Sequence, residues 1–188
     1  TALERVFVEA SVGADGRQGV ANVHGRLMPF SAQTNFEVEM QLYDPAGKIV
    51  QTQQPQVNKG ALNLEFGQFM VKKPQLWSPD QPALYRLVTT IKSNGQVFKE
   101  ESVFGFRHVA FKEKGPFLLN GKRLLLRGTH RHEDHAGVAA AMTDDQTLQE
   151  MTLMKEMGVN FIRLGHYQQS RKVLEACDSL GILVWEEI

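Results

Sequence analysis

Several short stretches in the first part of the chain alternate between apolar and polar residues. The clearest is residues 36–42, where every even position is apolar and Asp44-Pro45-Ala46-Gly47 follows as a turn. A period of two places alternate side chains on opposite faces, so this stretch is predicted to be a half-buried antiparallel strand. Comparable patterns occupy residues 5–12, 21–27, 61–66, 84–91 and 96–104. About seven short strands predict a two-sheet, immunoglobulin-like β-sandwich, which we assign to residues 1–110.

After residue 110 the pattern changes to three apolar runs separated by two helical segments. The first helical segment opens with Thr143 and Gln146 in the spacing of a capping box. The second begins after Ser170 and ends at Gly181, which are typical N-cap and C-cap residues. Strands alternating with helices predict a parallel sheet, whose strands we place at residues 124–127, 159–163 and 182–186, paired in chain order. A hairpin at Asn120-Gly121 precedes them.

Polar residues follow the first two of these runs, at residues 129–135 and 166–169. Ligands bind at this edge of α/β sheets, and four of the six histidines of the chain lie between residues 130 and 166. One interpretation is a zinc or iron site formed by His130, His132, His135, Glu133 and Asp134. A second is a polar cup for a hydroxyl-rich ligand, and a third is a solvated loop without a ligand. The residues alone leave these interpretations open.

Composition narrows the function classes. The 21 Lys and Arg residues balance 21 Asp and Glu residues, which gives no electrostatic reason to expect nucleic acid or an anionic membrane as a partner. No apolar run is long enough to span a bilayer. The single cysteine, Cys177, lies among apolar helical residues and is predicted to be buried rather than nucleophilic. Trp77 lies among prolines and is predicted to be a packed anchor rather than a sugar-stacking platform.

Two groups of motifs carry a resemblance to a known family. The first includes Asn160-x-x-Arg163-x-x-His166-Tyr167, followed by Asp178-x-x-Gly181 and four apolar residues. The second runs from Phe117-x-x-Asn120-Gly121-Lys122 to Arg127-Gly128-Thr129-His130-Arg131-His132-Glu133-Asp134. Both resemble the start of the catalytic barrel of glycoside hydrolase family 2, which includes β-galactosidases, β-glucuronidases and β-mannosidases. The resemblance covers residues 74–188 most strongly and is nearest to the β-galactosidases.

This resemblance implies a fold and a set of binding residues. Residues 111–188 would form the first three strands and two helices of an incomplete (β/α)8 barrel, and His132 and His166 would line a sugar subsite. Further residues would shape, brace or line the pocket: Glu133, Asp134, Arg127, Arg163 and Glu187. The chain departs from the family pattern at Leu164-Gly165 and at Gln168, where small residues and proline are usual.

The resemblance also implies that both catalytic carboxylates of a retaining exo-β-glycosidase lie beyond Ile188. Adjacent residues of a strand point to opposite faces, so Glu186 and Glu187 cannot act as that pair. We therefore expect a catalytically inactive fragment of an active enzyme, which acts on β-galactosides. No cofactor is expected within the fragment, and a divalent cation is expected only in the full-length protein. The alternatives are a non-catalytic carbohydrate-binding or interaction sandwich and, third, a metal-dependent hydrolase.

A three-stranded parallel sheet cannot close into a barrel, so one strand edge is expected to be exposed. The inward faces of Leu125, Phe161 and Val184 would then lack the layers that cover them in a complete barrel. Such a surface predicts either association with a second copy of the chain or poor order of these residues.

Overall fold

A computed structural model describes residues 3–27, 36–56 and 63–187, which fold as two compact units. The first unit contains the described residues up to Leu76 together with Ala83–His108. The second contains Trp77–Pro82 and the chain from Val109 onward. Within these ranges no helix has the length and apolar character needed to cross a bilayer. Residues 61–62, which begin one predicted strand, lie outside the described residues, as does Ile188.

The first unit is a β-sandwich, as the alternating pattern predicts. Its described strands are β1 (Leu3–Val12), β2 (Gln18–Leu27), β3 (Glu37–Tyr43), β4 (Ile49–Gln53), β5 (Asn63–Lys72), β6 (Tyr85–Ser93) and β7 (Gln96–Phe104). They form two antiparallel sheets with the orders β1-β2-β5 and β4-β3-β6-β7. Apolar side chains from both sheets form one core, which includes Met40, Phe69 and Leu87. Asn94 and Gly95 have positive φ angles of 48° and 74°, so the predicted hairpin turn is confirmed.

The second unit contains two small sheets and two helices. An antiparallel sheet has the order β10 (Lys122–Arg123), β9 (Phe117–Leu119), β8 (Val109–Phe111). The chain then alternates through β11 (Gly128–Arg131), α1 (Asp144–Glu156), β12 (Phe161–Leu164), α2 (Arg171–Leu180) and β13 (Leu183–Glu186). Strands β11, β12 and β13 pair in parallel and in chain order, as predicted. The capping box of α1 and the predicted caps of α2 are also confirmed.

The first parallel strand was predicted too early in the chain. Residues 124–127 lie outside β11, which begins at Gly128 opposite Phe161. The cause is Asn160, whose side chain accepts a hydrogen bond from the Arg127 amide at 2.8 Å and donates one to the Leu125 carbonyl at 3.0 Å. These side-chain bonds replace strand pairing before Gly128, and so the apolar residues at 124–126 do not join the sheet.

The predicted inward face of the sheet needs a second correction. Val184 packs against the core beneath the helices, whereas it was expected on the opposite face with Phe161. The register explains this, because Val184 pairs with Ile162, whose side chain is buried in the same core. Leu125 is 64% exposed, and the exposed residue of β13 is Trp185, at 58%.

Residues 77–82 form a strap that packs in the second unit. Trp77 is only 1% exposed, and its indole N–H donates to the Asp178 carbonyl at 2.8 Å. Lys155 Nζ donates to the carbonyls of Pro79 and Gly181 at 2.8 and 3.2 Å. Trp77 is therefore the packed anchor predicted from its prolines, and its ring is unavailable as a sugar platform.

Candidate functional site

Strand register brings the polar residues of β11 and β12 together. His130 of β11 pairs with Arg163 of β12, and Arg163 in turn pairs with Trp185 of β13. His130 therefore lies within the sheet rather than in the loop that was predicted to follow the first strand. Because side chains alternate along a strand, His130 and His132 share one face while Arg131 points to the other. Burial agrees, since both histidines are exposed and Arg131 is buried.

Five side chains form what we call the histidine cluster: His130, His132, His166, Arg163 and Glu187. The ring centroids of His132 and His166 lie 5.6 Å apart, which confirms the prediction that they meet at one rim. The His130 ring lies 4.6 Å from that of His132 and 6.0 Å from that of His166. Of the residues predicted at the site, His132, His166, Arg163 and Glu187 are therefore brought together. His130 joins them, although the resemblance did not single it out.

Arg163 and Glu187 connect the cluster through charged hydrogen bonds. Arg163 Nε and Nη2 lie 2.8 and 2.7 Å from Glu187 Oε1. His166 Nδ1 donates to Glu187 Oε2 at 2.7 Å, and this hydrogen bond orients the ring. The second ring nitrogen, Nε2, stays available to a ligand. Together these hydrogen bonds fix Glu187 through both of its carboxylate oxygens.

A relay of hydrogen bonds also defines the tautomers of His130 and His132. Arg163 Nη1 lies 3.2 Å from His130 Nδ1, to which we assign a hydrogen bond from the guanidinium. Arg163 Nη2 lies equally near His166 Nδ1, but that nitrogen donates to Glu187 and so does not accept from Arg163. Neutral His130 then carries its proton on Nε2 and donates it to His132 Nε2 at 2.7 Å. In this assignment a neutral His132 carries its own proton on Nδ1. The cluster thus offers an imidazole N–H at His132 and a ring nitrogen at His166, neither of which is bonded within the described residues.

Two pKa shifts accompany this arrangement. Desolvation lowers the pKa of His130, and the neighbouring His132, Arg163 and His166 lower it further, whereas Glu187 opposes the shift. Desolvation raises the pKa of Glu187, but the hydrogen bonds from His166 and Arg163 and their charges outweigh it, so its pKa is lowered. Near pH 7 we therefore expect a neutral His130 beside an ionised Glu187.

The remaining predicted site residues lie apart from these contacts. Glu133 accepts a hydrogen bond from the Ser170 amide at 3.2 Å, and its own amide donates to Tyr167 Oη at 2.8 Å. Asp134 is exposed, and its side chain has no hydrogen bond or ion pair within the described part of the chain. Arg127 is also exposed, and its hydrogen bonds to Asn160 are made by its main chain. The roles of these residues in sugar binding stay predictions.

The metal interpretation of residues 130–135 gains no support from the geometry. His135 lies in a turn, where its main chain pairs with that of Ala139, and it does not join the histidine cluster. Across residues 3–27, 36–56 and 63–187, no three His, Cys, Asp or Glu side chains are arranged to hold a metal ion.

Glu186 and Glu187 have different partners, as their adjacency predicts. Glu186 Oε1 accepts from the main-chain amide of Gln169 at 3.4 Å, whereas Glu187 binds Arg163 and His166. Neither Gln169 nor the buried Arg131 was singled out from the sequence. One signal in the sequence could have identified Arg131. It lies between His130 and His132 on a strand, so its side chain must point to the face of the sheet opposite the two histidines.

Comparisons with known proteins match a family model to each of two parts of the chain. A family model described as glycosyl hydrolases family 2 matches residues 1–107. A second, described as glycosyl hydrolases family 2, TIM barrel domain, matches residues 109–188. The crystal structure of Parabacteroides merdae β-glucuronidase is similar over 100% of this chain and 23% of its own, with a TM-score of 0.94 and 48% identity.

Curated relatives carry two different names. A putative β-glucuronidase of Formosa agariphila is 43% identical over 156 residues, which are 82% of this chain and 19% of that protein. A β-galactosidase of Alteromonas mediterranea is 31% identical over 194 residues, covering 98% of this chain and 18% of its own length. The chain therefore spans about a fifth of the length of the relatives it matches.

Proposed function

Since the chain belongs to glycoside hydrolase family 2, we propose that the complete protein containing it hydrolyses terminal β-linked sugars and that the histidine cluster binds the terminal sugar. The observation that supports this is the convergence of His132, His166, Arg163 and Glu187 at the carboxyl ends of parallel strands. A sugar hydroxyl both donates and accepts hydrogen bonds. The His132 N–H and the His166 ring nitrogen match these two capacities.

The favoured substrate is a β-glucuronide. Support comes from 43% identity over 82% of this chain with a putative β-glucuronidase and 48% identity over all of it with a β-glucuronidase of known structure. Proteins named as β-galactosidases are 31% identical over 98% of the chain and 40% identical over 63% of it. The sequence motifs had favoured a β-galactoside, which we keep as the second candidate. The cluster itself does not discriminate between them, because Arg163 is paired with Glu187 and provides no unpaired cation for a uronic acid carboxylate.

The 188-residue chain alone is expected to be inactive. A retaining glycosidase needs an acid/base and a nucleophile about 5 to 5.5 Å apart across the glycosidic bond. Glu186 and Glu187 are committed to different partners and do not provide such a pair. We assign both catalytic carboxylates to other parts of the complete protein, and we assign there any divalent cation that it requires.

Self-association is proposed through the open edge of the parallel sheet. Within the described residues β13 pairs with β12 alone, and Trp185 beside it is 58% exposed. An unpaired edge with an exposed aromatic ring favours association with a second copy. Light scattering of the 188-residue chain tests this, and replacement of Trp185 by Ser should shift a dimer towards the monomer. A monodisperse monomer at all concentrations would contradict it.

The experiment that tests the function is a substrate panel. The complete protein and the 188-residue chain are assayed with 4-nitrophenyl β-glucuronide, β-galactoside and β-mannoside, with and without EDTA. We expect turnover by the complete protein alone, highest with the glucuronide. Turnover of the galactoside instead would identify the second candidate, and turnover by the short chain would refute the proposed location of the carboxylates. Binding without hydrolysis of any substrate would favour the carbohydrate-binding alternative.

A further inference from the structure

Arg131 is a buried cation between two exposed histidines. It is 2% exposed, while His130 and His132 on either side face outward. A buried guanidinium needs hydrogen-bonded partners, since an unpaired buried charge costs several kcal/mol. Its partners therefore determine where this strand end lies.

Three side chains supply those partners, and the weakest is Met142, whose Sδ accepts from Arg131 Nη2 at 3.4 Å. Glu150 of α1 accepts from Arg131 Nε and Nη2 through Oε2, at 2.8 and 2.7 Å. Arg131 Nη1 donates to Gln169 Oε1 in the segment that follows β12. The guanidinium thus connects the end of β11 to helix α1 and to the segment that carries His166.

Gln169 lies in the segment that follows β12 and makes hydrogen bonds to the ends of β11 and β13. It is 5% exposed, and its Nε2 donates to the Arg131 carbonyl at 2.8 Å while its Oε1 accepts from the Arg131 side chain. Its own amide donates to Glu186 Oε1 at 3.4 Å. One amide side chain therefore holds both the main chain and the side chain of Arg131, and the Gln169 main chain contacts the end of β13.

Four of the five residues of the histidine cluster are close in sequence to Arg131, Gln169 or Glu186. The fifth, Arg163, lies within β12. His130 and His132 flank Arg131, His166 precedes Gln169 by three residues, and Glu187 follows Glu186. The exposed contacts between Glu133 and the segment at Tyr167 and Ser170 join the same two regions. Water competes with these exposed bonds, whereas the bonds of Gln169 to Arg131 are buried.

We propose that Gln169 is a positioning residue that, through its buried bonds to Arg131, sets the separation of His130 and His132 from His166. This proposal rests on the proposed function for its effect on catalysis, but its structural part can be tested separately. In the part of the chain that the structure describes, Gln169 makes no hydrogen bond to a side chain of the cluster, and it would act through the main chain of Arg131 and of its own segment. A displacement of about 1 Å in a binding group is enough to lower a rate by up to about 100-fold.

The first test compares kinetics of graded variants in the complete protein. Gln169→Met keeps the length of the side chain and removes both hydrogen bonds, while Gln169→Glu keeps the acceptor for Arg131 Nη1 and removes the donor to the Arg131 carbonyl. We expect kcat/KM to fall about 10 to 100-fold for Met and less for Glu. Gln149→Met, the same change at an exposed position of α1, is the matched control and should leave kcat/KM within about twofold of wild type.

The second test does not depend on activity. Deuterium exchange at the imidazole C2 position, followed by mass spectrometry, gives an apparent pKa for individual histidines. If Gln169→Met loosens the cluster, the apparent pKa of His130 should rise towards its ordinary value, because its ring becomes less desolvated and His166, one of the neighbours that lower its pKa, moves away. A role in stability alone would lower Tm without altering this exchange. If Gln169→Met does not fold, the comparison is made with Gln169→Glu.

The outcomes separate the two proposals. A folded Gln169→Met variant with wild-type histidine exchange and wild-type kcat/KM would overturn the positioning role. Altered histidine exchange in Gln169→Met, combined with unchanged kinetics for both His132→Ala and His166→Ala, would support the positioning role and refute the proposed sugar site.

Discussion

The two units use charged side chains in different ways. In the sandwich, ion pairs such as Arg86–Glu101 lie on the surface, where the side chains are 39% and 55% exposed. In the second unit, Arg131 and Glu150 are paired with the arginine side chain only 1% exposed. The sandwich core is formed by apolar residues of two sheets, so its charges can stay in water. The second unit also has exposed ion pairs, such as Arg171–Glu175, but it differs in burying one charged pair at the end of a strand beside the candidate site.

The largest expected effect tests whether the strap at residues 77–82 stabilises the second unit. Trp77→Ala should cost about 3 to 5 kcal/mol, because it empties a buried site and removes the hydrogen bond to Asp178. Hydrogen exchange should show the loss of protection in β12 and α2, with β3 and β6 much less affected. Phe106→Ala, which removes a fully buried ring of the sandwich core, is the matched variant and should give the reverse distribution. Equal loss in both units from either variant would show that the two cores unfold as one.

The next effect compares the two ion pairs directly. Glu150→Gln leaves the buried Arg131 without its carboxylate and should destabilise the chain by about 3 kcal/mol. Glu101→Gln removes the exposed partner of Arg86 and should cost less than about 1 kcal/mol. Denaturant unfolding of both variants measures the difference. If the two variants lost similar free energies of unfolding, burial of an ion pair would not make it more important to stability in the second unit than in the sandwich.

Local sequence patterns predicted the elements whose geometry depends on near neighbours. Thr143 and Gln146 form their capping box, and Asn94 and Gly95 form their turn, because only adjacent residues take part. The start of β11 was missed because it depends on Asn160, which is distant in sequence.

The candidate site was likewise predicted only in part from the sequence. His132 and His166 were identified by motif, and their meeting at one rim followed from the parallel sheet. The role of Gln169 had no signal in the sequence, because a glutamine in a polar segment shows neither its burial nor its partner. Only the folded structure, in which Gln169 is buried against the end of β11, reveals both.

A third comparison concerns histidines in the two units. In the complete protein, His132→Ala or His166→Ala should lower kcat/KM about 10 to 1,000-fold, or about 1.4 to 4 kcal/mol of transition-state stabilisation. His24 of the sandwich binds Glu65 at 2.7 Å and lies outside the cluster, so His24→Ala should leave kcat/KM unchanged. An equal loss in all three variants would point to impaired folding, which Tm measurements would detect.

The smallest expected effect is the dependence of stability on pH, because His130 and Glu187 are accessible to solvent. The pKa of folded His130 is lowered from 6.5, so below pH 6.5 the unfolded chain binds its proton first and stability falls with acidification. The pKa of folded Glu187 is lowered from 4.5, so its stabilising contribution is present above that pH and is lost as the pH falls through the folded value.

Two variants test these pH windows. His130→Gln should flatten the dependence of stability on pH just below 6.5, and Glu187→Gln should flatten it below 4.5. Glu187→Gln should also extend the His130 window to lower pH, since the Glu187 charge opposes the lowering of the His130 pKa. Denaturant unfolding between pH 3 and pH 8 measures these slopes, and a His130→Gln profile that coincides with wild type would show that His130 keeps its ordinary pKa.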